Sequence, residues 1–119
     1  MKKVAIVFVV FVLFSGCNRV QHFASPEQMV EQALKVVKQM TVNELNKLMD
    51  SEEIYTLIDV RQKSEHYYGY IPGSLVIPRG SLEFLIGKEE FWEEEGLYMP
   101  LKEEKIIVYC RKGNRGTLA

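Results

Sequence analysis

The stretch YTLIDVRQKSEHYYGYIPGSLVIP, residues 55–78, decides the fold class. It opens with Tyr55–Val60, a run of β-branched and aromatic residues followed by a charged residue, which predicts a buried strand. SEHYYG at 64–69 fits one or two helical turns closed by a glycine, and LVIP at 75–78 predicts a short strand ended by proline. Strands that alternate with helices favour an α/β domain with a mainly parallel sheet.

Two helix starts precede this stretch. SPEQ places Ser25 as a cap before Pro26 at the first helical position, and TVNE pairs a Thr41 cap with Glu44 in a capping box. The end of the first helix stays open, because Val36–Met40 fits either a continued helical stripe or a short strand.

Downstream, residues 81–95 predict one or two helices with four large side chains facing inward: Phe84, Leu85, Phe91 and Trp92. Lys105–Tyr109 predicts another strand, which delivers Cys110 at its carboxyl end. In open parallel sheets, functional sites gather at the carboxyl ends of strands. Cys110 is therefore the leading candidate functional residue.

The loop CRKGNR that begins at Cys110 has the composition of an anion cradle. Gly113 permits a positive φ angle, so successive backbone N–H groups can converge on one point. Arg111, Lys112 and Arg115 add positive charge near the sulfur. Such surroundings lower a thiol pKa and attract an anionic electrophile. The alternative interpretation is an inert cysteine at a structural turn, since six residues alone are a weak signal.

The segments LIDVRQKSEHYYGYIPGSLVIP (57–78) and IIVYCRKGNR (106–115) closely resemble the two hallmark segments of the rhodanese family of sulfurtransferases. They occur in the same order and at normal separation, within a domain-like region from about residue 41 to 119. The resemblance implies a rhodanese-like three-layer α/β domain with a mainly parallel sheet. It implies that Cys110 attacks the sulfane sulfur of a small anionic donor such as thiosulfate. Sulfite then leaves, and the persulfide passes its sulfur to a thiol or to cyanide, with no cofactor.

The resemblance also implies roles for the residues around the cysteine. The substrate-binding set is the rest of the loop: Arg111, Lys112, Gly113, Asn114 and Arg115. Three charged residues near the other hallmark strand, Asp59, Arg61 and Glu65, are interpreted as a supporting polar network. Its simplest version is an ion pair between Arg61 and Glu65 at i,i+4. His66 and Tyr70 depart from the family's usual residues at these positions, and both are interpreted as structural.

The resemblance implies more chain after the loop than this sequence has. The family continues there with a helix, a strand and a final helix, whereas only Gly116–Ala119 follow here. Four residues are too few for a stable isolated helix. We therefore expect an incomplete domain that lacks this last portion.

Two other functions fit parts of the pattern. Phosphatases and arsenate reductases with a similar cysteine loop set five residues between cysteine and arginine, which would put the arginine at position 116, where Gly116 stands. A non-catalytic module, either sulfur-sensing or inert, is the second hypothesis.

The amino-terminal residues predict a signal peptide over 1–16. Two lysines precede an apolar run of eleven residues, Val4–Phe14. At about 1.5 Å per residue this run cannot cross a hydrocarbon core of roughly 30 Å. The pattern is that of a secretory signal instead.

LFSGC at 13–17 resembles the lipobox of bacterial lipoproteins. This resemblance implies that Cys17 carries lipid, such as palmitate, and anchors the protein to a bacterial membrane on its periplasmic or cell-surface side. Residues 17–40 then hold the lipidated cysteine, a tether and the first helix, and 41–119 form the incomplete domain.

Composition argues against two further classes of partner. Fifteen basic and sixteen acidic residues give a formal net charge of −1 without a long cationic stripe, which disfavours nucleic acid. His22 and His66 lie far apart with no second cysteine near either, so no metal site is expected.

Overall fold

The computed structural model describes residues 21–119, so the signal peptide, Cys17 and the start of the tether lie outside the described residues. The helices are α1 (Pro26–Ala33), α2 (Val42–Met49), α3 (Lys63–His66), α4 (Leu82–Leu85), α5 (Glu89–Glu94) and α6 (Asn114–Thr117). The strands are β1 (Tyr55–Asp59), β2 (Leu75–Val76) and β3 (Lys105–Tyr109). None of the helices described in 21–119 combines the length and apolar character that a membrane crossing needs.

Both predicted helix starts are confirmed. The Ser25 hydroxyl accepts a bond from the Gln28 amide at 3.4 Å, and Thr41 and Glu44 form the reciprocal capping box. The region Val36–Met40 continues neither as helix nor as strand, because α1 ends at Ala33 and a turn follows. Both alternatives for this region were therefore wrong.

The sheet confirms the predicted α/β class. Its three strands are all parallel in the order β2-β1-β3. The central strand β1 is the most buried, with Leu57 at 3% and Ile58 at 0% exposure. This follows from its position, because a parallel strand with neighbours on both edges and helices on its faces loses contact with water on every side.

The main core lies on one face of the sheet, beneath α4 and α5. Ile58, Val60 and Ile77 pack there with Leu82 and Trp92. The indole of this tryptophan donates its N–H to a backbone carbonyl at 3.0 Å, so its polar atom is satisfied. Since side chains alternate along a strand, Asp59 points to the opposite face, where α3 lies.

One of the four side chains predicted to face inward is exposed instead. Phe84 is 66% exposed, whereas Trp92 is buried and Leu85 and Phe91 pack against the core. The helical segment breaks between α4 and α5, so the two turns do not share one continuous inward stripe.

A helical turn, α6, begins inside the cysteine loop at Asn114 and ends at Thr117, so it takes in only two of the last four residues, Gly116–Ala119. The turn is supported from outside. Gly116 lies so close to β3 that a Cβ there would sit 3.4 Å from the Val108 carbonyl oxygen. Arg79 donates to the Leu118 carbonyl at 3.1 Å, and α1 lies against the same turn. Tertiary contacts therefore replace the length that an isolated helix requires.

We expect Ile77→Ala to lower the free energy of unfolding by about 2–5 kcal/mol, because it opens a cavity in the core. Urea unfolding followed by the fluorescence of Trp92, the single tryptophan, measures this. Phe84→Ala is the matched control and should change stability little, since that side chain is mostly in water. Equal losses for the two variants would contradict the assignment of the core.

Candidate active site

Cys110 follows β3 directly and is partly buried against the core beneath the sheet. The loop after it turns at Gly113, whose φ of 92° lies in the region that glycine adopts at no steric cost. The turn reverses the chain into α6. The sulfur therefore sits between the end of a strand and a tightly folded loop.

The loop backbone governs the ionisation of the thiol. Burial raises the pKa of Cys110, but hydrogen bonds from the N–H groups of Gly116, Lys112, Gly113 and Arg115 lower it, and the net pKa lies below the ordinary value. Each of these amides stabilises the thiolate more than the thiol. The geometry thus favours an ionised, nucleophilic sulfur.

Sequence reasoning missed Gly116 as part of this ring. Its amide reaches the sulfur because the backbone packs tightly on β3, against Val108 and Tyr109. The signal in the sequence that could have indicated it was the presence of a glycine directly after the loop. A Cβ at this position would be in van der Waals contact with the strand backbone.

A buried carboxylate lies beside the cysteine strand. Asp59 has no exposed surface, accepts three bonds from the Arg61 side chain at 2.7 to 3.0 Å and one from its backbone N–H at 3.1 Å, and lies 3.0 Å from Nδ1 of His66. Burial raises the pKa of Asp59, but the bonds from Arg61 and His66 outweigh it and hold the value at about 2. The group is therefore a carboxylate at neutral pH and ties β1 to α3.

Tyr109 extends this network towards the cysteine. Its hydroxyl accepts a bond from the Ile71 amide at 3.1 Å and lies 3.0 Å from the hydroxyl of Ser74. The guanidinium carbon of Arg61 stands 5.7 Å from the centre of its ring. The residue directly before Cys110 is thus fixed on both its polar tip and its face.

The two residues that depart from the family pattern are in contact. The rings of His66 and Tyr70 stack with centroids 4.0 Å apart and an interplanar angle of 12°. One face of His66 is thereby covered while its Nδ1 reaches Asp59. A structural role for this pair agrees with these contacts.

The predicted ion pair between Arg61 and Glu65 is wrong. Arg61 takes Asp59 as its carboxylate, and Glu65 binds Arg115, fifty residues further along the chain. The two guanidinium–carboxylate bonds of this second pair measure 2.6 and 2.7 Å. The bond from Arg115 is the main reason that the pKa of Glu65 falls to about 2.

The remaining loop residues lie at the surface. Arg111, Lys112 and Asn114 are exposed, and neither cation has an ion-pair partner among residues 21–119. The structure thus brings Cys110, the loop and Arg115 together, with the Asp59 network at the neighbouring strand end. No group of three or more potential metal ligands occurs in the described part of the chain.

Comparison with known proteins identifies the family. The rhodanese-like domain profile matches residues 41–119, and the chain belongs to this sulfurtransferase-like family. It is 36% identical over 80 residues to a provisionally named mitochondrial thiosulfate sulfurtransferase of Schizosaccharomyces pombe, covering 66% of this chain and 56% of that protein. It is 36% identical over 62 residues to a thiosulfate:glutathione sulfurtransferase of Saccharomyces cerevisiae, covering 50% of this chain and 45% of that protein. The chain thus spans about half the length of these curated relatives.

Solved structures show the same fold. A human single-domain sulfurtransferase superposes with a TM-score of 0.62 at 32% identity, over 70% of this chain and 75% of that one. A protein of unknown function from Rhodopseudomonas palustris, whose title suggests a tyrosine phosphatase, gives a TM-score of 0.62 at 26% identity, over 83% of this chain and 75% of that one.

We expect Asp59→Asn to lower the free energy of unfolding at neutral pH by about 3 kcal/mol, because Arg61 keeps its charge without its carboxylate partner. The folded pKa of Asp59, about 2, lies below the value of about 3.9 for an unfolded aspartate. Its contribution is therefore complete above about pH 5 and is lost as the pH falls towards 2. Urea titrations from pH 7 to pH 2 should show the two proteins converging in acid.

The control for this experiment is Glu53→Gln, which removes the carboxylate of an exposed ion pair with Lys105. Its urea midpoint at neutral pH should match that of the parent chain. A gap between the parent and Asp59→Asn that stays constant down to pH 2 would argue against an ionised Asp59.

Proposed function

We propose that this protein is a sulfurtransferase that carries sulfane sulfur as a persulfide on Cys110. The observation that carries the proposal is the set of backbone N–H groups directed at the sulfur from Lys112, Gly113, Arg115 and Gly116. These groups favour a thiolate nucleophile, and after the first step they can bind the negative outer sulfur of a persulfide in its place. The names of the yeast and human relatives support the same chemistry.

The first half-reaction transfers one sulfur atom from thiosulfate. The Cys110 thiolate attacks the sulfane sulfur, a new S–S bond forms, and the old S–S bond breaks. Its electron pair leaves with sulfite, a dianion, while the enzyme retains a persulfide with a single negative charge. Charge and electrons balance without an added oxidant or proton.

The second half-reaction restores the enzyme. A thiolate or cyanide attacks the outer sulfur of the persulfide, and the electron pair of that S–S bond returns to Cys110. The product is a new persulfide or thiocyanate. The loop from Arg111 to Asn114 is exposed, so an acceptor can approach the outer sulfur from solvent.

The cations of the loop suit an anionic donor. A thiosulfate dianion approaching a thiolate meets repulsion, which positive groups must offset. Arg111 and Lys112 directly follow Cys110 in the chain and are exposed, and they are the groups assigned to this task. Arg115, the third cation of the loop, is already paired with Glu65.

We expect thiosulfate to add the mass of one sulfur atom to the protein, with release of one equivalent of sulfite. Cys110→Ala should abolish both results, since it removes the nucleophile. Intact-mass spectrometry and a sulfite assay measure the two products.

Cys17→Ser is the matched control, because the chain contains two cysteines and this variant keeps Cys110. It should gain sulfur like the parent. Sulfite release that persists in Cys110→Ala, or a parent chain that hydrolyses an aryl phosphate and leaves thiosulfate untouched, would overturn the proposed function.

We further propose that the protein works outside the cytosol on a bacterial membrane, tethered by lipid on Cys17. The support is the LFSGC segment after an apolar run that is too short to span a bilayer. A lipid of this kind would hold the domain at the membrane surface and leave Cys110 free for sulfur.

We expect the chain expressed in a bacterium to incorporate labelled palmitate and to sediment with membranes. Cys17→Ala should lose the label, whereas Cys110→Ala should keep it. Labelling that survives Cys17→Ala would exclude this site of attachment.

A further inference from the structure

We propose that Glu65 is a positioning residue for the transfer reaction, because it holds the guanidinium of Arg115 from α3 so that this group stays beside the sulfur of Cys110. This inference rests on the proposed function only for its effect on turnover. Its effect on the reactivity of the thiol is independent of the substrate.

The clamp is well defined in geometry. Oε2 of Glu65 accepts from Nη1 of Arg115 at 2.6 Å, and Oε1 accepts from Nη2 at 2.7 Å. Two parallel bonds fix both the place and the plane of the guanidinium. The pair joins helix α3 to helix α6.

The carboxylate is itself immobilised. Oε2 of Glu65 also accepts the backbone N–H of Gln62 at 3.1 Å, as part of the capping box that starts α3. This helix is anchored in turn by His66, which reaches the buried Asp59. Glu65 therefore presents a fixed acceptor to Arg115.

Arg115 links the clamp to the reacting atom. Hydrogen bonding to Glu65 is the main cause of its raised pKa, and its interaction with the Cys110 sulfur adds to the same effect. The guanidinium is held by the carboxylate of Glu65 in a residue that lies five positions after Cys110, at the end of the same loop. Its backbone N–H also points at the sulfur, so any shift of this residue disturbs two contacts of the thiolate.

Two effects of opposite sign make the proposal testable. As a nearby negative charge, Glu65 disfavours the thiolate, so its removal by itself would lower the pKa of Cys110. As a positioning residue it favours the thiolate by holding Arg115 in place, so its removal would raise that pKa. The direction of the change separates the two roles.

The other titratable or charged groups at this edge of the sheet are not mutated in the test. From the loop these are Arg111 and Lys112, and from the strand ends and neighbouring turns they are Asp59, Arg61, His66, Arg79 and Tyr109. Only the Glu65–Arg115 pair is changed.

The experiment titrates Cys110 by its rate of alkylation with iodoacetamide against pH, in chains that carry Cys17→Ser. We expect Glu65→Gln to slow alkylation at neutral pH about tenfold, with the titration midpoint moved upward by roughly one unit. Glutamine keeps an acceptor for the Gln62 amide, so α3 retains its cap, but its amide nitrogen cannot accept from Arg115. Arg115→Lys, which keeps the charge and loses the paired bonds, should have a similar effect.

The double variant Glu65→Gln/Arg115→Lys should be no slower than the slower single variant, because the two residues act as one unit. Glu53→Gln is the control, since it breaks an ion pair at the opposite end of β3, about 16 Å from Cys110 along the strand. Circular dichroism confirms that each variant is folded, and Arg115→Lys answers the question if Glu65→Gln does not fold.

A midpoint that moves downward or stays unchanged in both single variants would overturn the positioning role. If the parent forms no persulfide with thiosulfate, the proposed function fails, while alkylation still reports on the clamp. If it does form one, the rate constant kcat/KM for sulfur transfer should fall in Glu65→Gln by the same factor as alkylation.

Discussion

The carboxylate of Asp59 is buried at the end of the central strand, where Arg61 and His66 keep it ionised. An unpaired charge at this depth would cost several kcal/mol, so its partners have little freedom to move. Arg61 extends the constraint to the carbonyl of Gly69, and His66 extends it to α3. That helix carries Glu65, and the position of the cysteine loop follows from there. Short hydrogen bonds from the buried carboxylate to α3, and from α3 to Arg115, thus connect the central strand to the cysteine loop.

The charges around the sulfur divide into two groups. Arg115 is paired with Glu65, whereas Arg111 and Lys112 are exposed and have no ion-pair partner among residues 21–119. Burial raises the pKa of the Cys110 thiol, and the groups that lower it are the backbone amides of the loop. Amides cannot lose their dipoles by titration, and their direction is set by the turn at Gly113 and by the close packing of α6 on β3. A short helix is sufficient for this task because α1 and Arg79 support it from outside.

Much of the fold could be predicted from the sequence, because its signals are local. The strand Tyr55–Asp59, the strand before Cys110 and the capped starts of α1 and α2 each depend on residues within one or two turns of one another. The cysteine, the cations and the glycine of the loop could also be found, since they are adjacent in the chain. Phe84 was misjudged because its helix ends after one turn, and a periodic pattern says nothing about such a break.

The sequence by itself determined the α/β class, the order of elements and the place of Cys110 at the end of a strand. Only the tertiary structure decided which charged side chains form ion pairs with one another. Arg61 was expected to bind its i,i+4 neighbour Glu65, yet it binds Asp59, and Glu65 reaches Arg115 fifty residues away. The reason is that a parallel sheet brings the carboxyl ends of β1 and β3 side by side. A charged side chain there can pair with an opposite charge that is near in space but distant in sequence. The spacing of two residues along the chain carries no information about a third residue that arrives from another strand.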